Sequence, residues 1–449
     1  MHRTLLLMSA ISMIAACGVQ HIEISPGPDG QARADSALGQ ARYGDVIHFL
    51  AGTHHFERSL FLAIDGVTIR GDGMNQTILS FSSQSDRVGQ AFKVNANQVT
   101  VEQLTIMDSN KHALVMENSE DLTVREVRIE WSDHPDLSTS GIHPLGCRNV
   151  LIEDSQVIGS AVEGIHVRDS SDVIVRNNRV HGNTIGVAIE NSTSVDVLEN
   201  QISDNTLGLY LANLPDRDTD SDYTNGHSIR ALGNVIEDNN RDSRAPPGNP
   251  AFDLSAGSGL FIMSGHRIDI IDNELLDNQT INLGIISYRL YIDILDESFA
   301  DSEYSPYTDT INIYRNRFGR GGYEPVGLFA DVLTPALALF GFTSAPSITF
   351  DGYVDPDKSD ADDRNRFQPA YALCIRDNDF TGTDGAAPFA SFGRFDARNG
   401  LADAYSDITR HDCVHPRLPA VSLPQAPDGH RTERADDSIA ARRTDRHLE

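Results

Sequence analysis

Apolar and polar residues alternate along residues 141–207 in a pattern that occurs three times. The copies start at Gly141, Gly164 and Gly186, 23 and 22 residues apart. Apolar residues stand one position after each glycine (Ile142, Ile165, Val187) and mostly three after it (Pro144, Val167, Ile189). A second pair follows at Val150/Ile152, Val173/Val175 and Val195/Val197, then a single position at Val157, Val180 and Ile202. Period-two alternation predicts short strands with one face buried. The Asn, Asp, Ser and Gly residues between them predict turns. Three short strands per 22 residues, repeated at fixed period, describe one coil of a solenoid. The chain is therefore expected to be all-β: a right-handed, single-stranded parallel β-helix with coils stacked about 4.8 Å apart.

Asn178 and Asn200 share one register position, and Asn183 and Asn205 another; Ser155 and Ser160 hold these places in the first copy. Stacked amides hydrogen-bond along a ladder and tolerate the left-handed backbone of tight bends. These residues are read as structural.

The register outlasts the regular spacing. Leu260, Ile262, Ile268, Ile270, Asn273, Leu275 and Asn278 repeat it, as do Ile311, Ile313, Asn316 and Phe318, then Leu373, Ile375, Asn378 and Phe380. Insertions are expected near residues 213–227, 240–257, 288–309 and 331–371. Those near 213–227, 288–309 and 331–371 fall between first and second strands, at equivalent corners that lie above one another in a solenoid, so these loops should form a wall along one edge. Insertions on one face often mark the binding face.

Residues 1–16 read as a secretory signal: a basic start, an apolar run too short to span a bilayer, and small residues at the end. Ile14-Ala15-Ala16-Cys17-Gly18 resembles a bacterial lipobox, which implies cleavage before Cys17 and lipidation of that cysteine. The mature chain is then exported and tethered in the periplasm or at the outer membrane, not embedded. The β-helix is expected over residues 17–424, followed by a polar, disordered tail at 425–449. An oxidising compartment would permit a disulfide between Cys374 and Cys413. Cys147 reads as a small buried filler.

The net charge of −29 argues against nucleic acid and anionic lipid as partners. It also disfavours a polyanionic substrate unless calcium bridges the two. Asp216, Asp218, Asp220 and Asp222 alternate like the first half of a calcium loop, without its glycine and distal glutamate. Asp355, Asp357, Asp360, Asp362 and Asp363 form a second acidic run; solvated loops are the plainer reading of both.

Alternation turns the second and fourth positions after each glycine outward. His143, His166 and Tyr210 are then expected on one row, with Phe261, and Arg168 and Glu190 on the next. Such a surface can neutralise a uronate carboxylate and move protons at the adjacent carbon. A solvated sheet face explains the same residues more simply. Trp131, one coil earlier, reads equally as a sugar-stacking platform or a corner cap, and Asp133-His134-Pro135 only loosely resembles an alginate-epimerase motif.

Several stretches resemble a family of bacterial exported parallel β-helix repeat proteins of the lipoprotein type. They are Gly71-Asp72-Gly73, Arg128-Ile129-Glu130-Trp131, Cys147-Arg148-Asn149-Val150, Ile189-Glu190-Asn191-Ser192 and Leu214-Pro215. The resemblance implies an exported c-type cytochrome-like partner and carries over no catalytic residue. Two functions remain. One is a lipid-anchored binding or scaffold module for a glycan or an exported partner. The other is a polysaccharide lyase or C5-epimerase acting on an acidic, uronate polysaccharide.

Overall fold

The computed structural model describes residues 18–85, 89–132, 139–215, 226–295, 304–393, 395–396, 400–401 and 403–424. The chain winds as a right-handed parallel β-helix. First strands of successive coils form an 11-stranded sheet, and second and third strands share a 20-stranded sheet. Every pairing within these two sheets is parallel, and the register matches the repeat. Val150, Val173, Val195, Ile229, Ile268, Ile311 and Leu373 stack in one inward column. One continuous apolar core runs from Ile24 to Phe389. Helix α1 (Gly30–Gln40) covers the first coil through Ala34, Ala37 and Leu38, which join that core.

The marker glycines form a column of close approach. A Cβ on Gly164 would lie 2.6 Å from the Gly186 carbonyl oxygen and 3.0 Å from Asn183 Nδ2. Any larger residue would push the coils apart at the place where a ladder amide reaches in. The ladders run Ser155–Asn178–Asn200–Asn234–Asn273–Asn316–Asn378 and Ser160–Asn183–Asn205–Asn239–Asn278. The left-handed backbone belongs to the residue before each ladder amide, such as Asn177, Glu199, Gly182 and Asp204, and not to the amide itself. Each ladder amide is thereby aimed into the stack.

The insertions line both edges of the 11-stranded sheet, not one. Residues 213–215, the segment holding α2 (Tyr288–Leu295), and residues 351–372 leave from the corner after the first strand. Residues 238–257 and the segment holding α3 (Gly327–Phe340) fill the corner before it. The expected insertion at 331–371 is thus two insertions, split by the first strand Ile348–Phe350.

The Cys374–Cys413 disulfide holds the last stretch of chain against the outer face of the second strands. From there the chain runs back across earlier coils. The backbone N–H groups of His415, Leu418 and Val421 donate to Asn312, Asp269 and Asp196 at 2.9–3.0 Å. Asp196 also pairs with buried Arg230 at 2.6 Å. Val421 and Leu423 pack on Ile174, Leu198, Leu232 and Ile271.

Candidate active-site cleft

The outward face of the 11-stranded sheet carries the row His143, His166, Ala188, Tyr210 and Phe261, each one coil from the next. Leu145, Arg168, Glu190, Ala212 and Met263 form the adjacent row. Between the two walls of insertions this face becomes a cleft of about 560 Å³. Its charged end holds Glu163, His166, Arg168 and Glu190. Its apolar end holds Leu207, Tyr210, Phe261, Met263 and Ile286. One wall supplies Asn249, Pro250, Leu254 and Phe329; the other supplies Leu214, Pro215 and Tyr288.

At the charged end, His166 Nε2 lies 3.2 Å from Glu190 Oε2 and Nδ1 lies 3.7 Å from Glu163 Oε2. Ser140 Oγ donates to Glu163 Oε2 at 2.7 Å. Arg168 Nε reaches Asp169 at 3.2 Å and Glu190 Oε1 at 3.5 Å. Burial opposes charge on the His166 ring, but Glu163 and Glu190 outweigh it and hold the imidazole above its ordinary value. For Glu190, too, burial is the largest influence and would raise the carboxyl; His166 and Arg168 reverse it and hold the group below the carboxylate range.

The neighbouring histidines behave oppositely. His143 stacks on His166 with ring centroids 4.6 Å apart. Its Nδ1 donates to the His166 carbonyl at 2.9 Å. Burial, with His166 beside it, pushes it well below its ordinary value. His112 accepts the Ser140 N–H on Nδ1 at 3.0 Å, and burial lowers it to about 4. An imidazole held above its ordinary value is therefore flanked by two held below it. Tyr210 stands two rungs from His166, about 9.6 Å along the sheet. Its hydroxyl donates to Met263 Sδ at 3.2 Å.

The structure brings together His166, Arg168, Glu190, Tyr210 and Phe261 in the cleft. His143 lies beside it, 8% exposed, as a packing partner of His166. Trp131 is not a sugar platform. It is 7% exposed, belongs to the main core, and donates Nε1–H to the Ser109 carbonyl at 2.7 Å, so it seals a corner. Phe261 is likewise no open platform, because Phe329 of α3 already stacks on it at 4.7 Å. Cys17, Asp133, His134, Pro135, Asp216, Asp218, Asp220 and Asp222 lie outside the described residues. Asp355, Asp360 and Asp363 accept backbone N–H groups two residues on, so these carboxylates cap their own turns. Among the described residues no cluster of three or more His, Cys, Asp or Glu is placed to hold a metal ion.

Glu163 is the acidic partner that alternation hides. Counted from Gly164, it falls on an inward position, yet at the start of the strand it lines the cleft. A polar residue at the same place in two copies, Ser140 and Glu163, is the signal that points to it.

Residues 90–290 match the family model described as right handed beta helix region. No curated protein matches the chain. Among solved structures, the A-module of mannuronan C-5 epimerase AlgE6 from Azotobacter vinelandii superposes with a TM-score of 0.53 at 14% identity. The alignment covers 79% of this chain and 90% of that one. The A-module of AlgE4 from the same organism gives 0.50 at 16% identity, covering 83% of this chain and all of that one. At these identities the likeness is one of fold.

Proposed function

We propose that the chain is a carbohydrate-active enzyme acting on an acidic polysaccharide, as a uronate lyase or C5-epimerase. The observation that carries this reading is His166, held between Glu163 and Glu190 beside Arg168 in a walled cleft, with a phenol two rungs away. Neutralising a uronate carboxylate acidifies the hydrogen on C5. Arg168 and His166 supply that neutralisation, and the Tyr210 hydroxyl is the proton-transfer group beside it. Elimination removes the C5 proton to a base, its electron pair forms the C4–C5 double bond, the C4–O4 bond breaks, and O4 leaves with a proton. Epimerisation instead returns a proton to the opposite face of C5. The two Azotobacter modules of like fold are mannuronan C-5 epimerases, which supports this class.

The apolar half of the cleft favours a second reading, a non-catalytic module that binds a glycan or an exported partner. In both readings Cys17 tethers the chain outside the cytoplasm. Incubation with mannuronan, polyguluronate and polygalacturonate in heavy water separates the two. Absorbance near 235 nm reports elimination, and deuterium at C5 reports epimerisation. One of these signals is expected, and Arg168→Ala and Tyr210→Phe should each abolish it. Binding without either signal would leave the module reading; no signal and no binding would refute both on uronates.

A further inference from the structure

We infer that the cleft takes the end of a glycan chain and not its middle, so that the enzyme attacks from a terminus. This rests on the uronate reading above. The row of outward side chains is closed on one side of the charged cluster by a two-ring plug. Gly284 follows Phe261 in that row, and a Cβ there would lie 2.1 Å from Phe261 Cε1. The missing side chain lets the Phe261 ring lie over the next rung. Phe329 then stacks on that ring at 4.7 Å and 25°.

Helix α3 is anchored in this position. The Phe329 N–H donates to Ser255 Oγ and the Val326 N–H to Thr280 Oγ1, both at 3.1 Å. Beyond the plug the row continues through Thr349 and Ala390. Neither lines the cleft, and Leu333 of α3 packs in one cluster with Ala390. In the other direction the row continues through His143 and Val115, neither of which lines the cleft. The part of the row that lines the cleft thus runs from His166 to Phe261, three rungs or about 14 Å. A polymer lying along the sheet would have to pass through Phe329. A chain end does not.

The test follows product size and binding stoichiometry on polymannuronate and polygalacturonate. Attack from an end releases short products from the start, while viscosity stays high as 235 nm absorbance or C5 exchange rises. Titration saturates at one protein per chain whatever the chain length. Phe329→Ala should open the row and raise internal products on the order of tenfold, whereas Phe329→Trp should keep the plug and the terminal pattern. A matching melting temperature shows that either variant is folded. An early ladder of internal products, or many proteins bound per chain, overturns the inference while leaving the uronate reading intact. Neither turnover nor binding on these polymers overturns both.

Discussion

Asn200 is the most informative single residue for what holds the coils in register. Its Oδ1 accepts from Asn178 N and Nδ2 at 2.9 and 3.0 Å. Its Nδ2 donates to the Val175 carbonyl and to Asn234 Oδ1 at 2.9 and 3.0 Å. In Asn200→Ala, Asn178 Nδ2 keeps the Ile152 carbonyl, and Asn234 Oδ1 keeps the Asn200 N–H. The Asn178 N–H and the Val175 carbonyl each lose a partner where water does not reach. Each loss costs about 1–3 kcal/mol, so a total of about 2–6 kcal/mol is expected. Asn200→Asp should cost at least as much, since it keeps the acceptor, loses both donors and buries a charge. Gln201→Ala, next in sequence but exposed, serves as control and should change stability by no more than about 0.5 kcal/mol. Urea unfolding followed by circular dichroism measures all three. A loss under about 1 kcal/mol for Asn200→Ala, or one equal to that of Gln201→Ala, would refute the ladder as a stabilising device.

Three further outcomes follow from the same contacts. Glu190→Gln removes a carboxylate that holds His166 above its ordinary 6.5, so the imidazole titration followed by NMR should move down. A raised pKa stabilises fully below 6.5 and loses that contribution as pH rises through the folded value, so wild type and variant should converge at high pH; a titration that does not move would sink the assignment. Cys413→Ser opens a cross-link between residues 39 apart, worth about 4 kcal/mol by loop closure, and should speed amide exchange at Leu418 and Val421. An unchanged midpoint in reducing and oxidising buffer would contradict it. Cys17→Ser should release the chain from the membrane fraction into the periplasm; retention in the membrane would exclude the lipid anchor.

The strands, their order and the outward rows were legible because a solenoid repeats one local rule. Each inward Val or Ile is set by its own coil, so Gly141, Gly164 and Gly186 calibrate coils far from them. What the repeat does not specify lies in the insertions. Phe329 meets Phe261 across 68 residues of sequence, and nothing in the periodicity of either segment announces the contact. Trp131 failed as a platform for the same reason, because its partner is a backbone carbonyl, that of Ser109, which no side-chain pattern reveals. The run of chain after Cys413 carries no repeat of the coil pattern. It crosses to Asp269 and Asp196 because those carboxylates, buried on the outer sheet face, need donors.

The acidity of the chain, at −29, counts against a uronate polymer only if the polymer is held along its length. A long trough would need a cation for each carboxylate. Among the described outward positions of the first strands, only Lys93 and Arg168 carry permanent positive charge, and Lys93 is bound to Glu117 at 2.6 Å. Within the 20-stranded sheet Arg70 and Arg125 both hold Glu102, and Arg176 holds Glu153. The cleft itself sets His166 and Arg168 against Glu163 and Glu190. A terminal uronate needs just one carboxylate satisfied, and Arg168 meets Glu190 at a loose 3.5 Å. Two of the carboxylates that make the chain acidic, Glu163 and Glu190, hold His166 above its ordinary value at the spot where that one carboxylate would sit. An acidic protein can therefore bind an acidic glycan at its end, and the plug of Phe261 and Phe329 keeps the rest of the polymer away from the repelling surface.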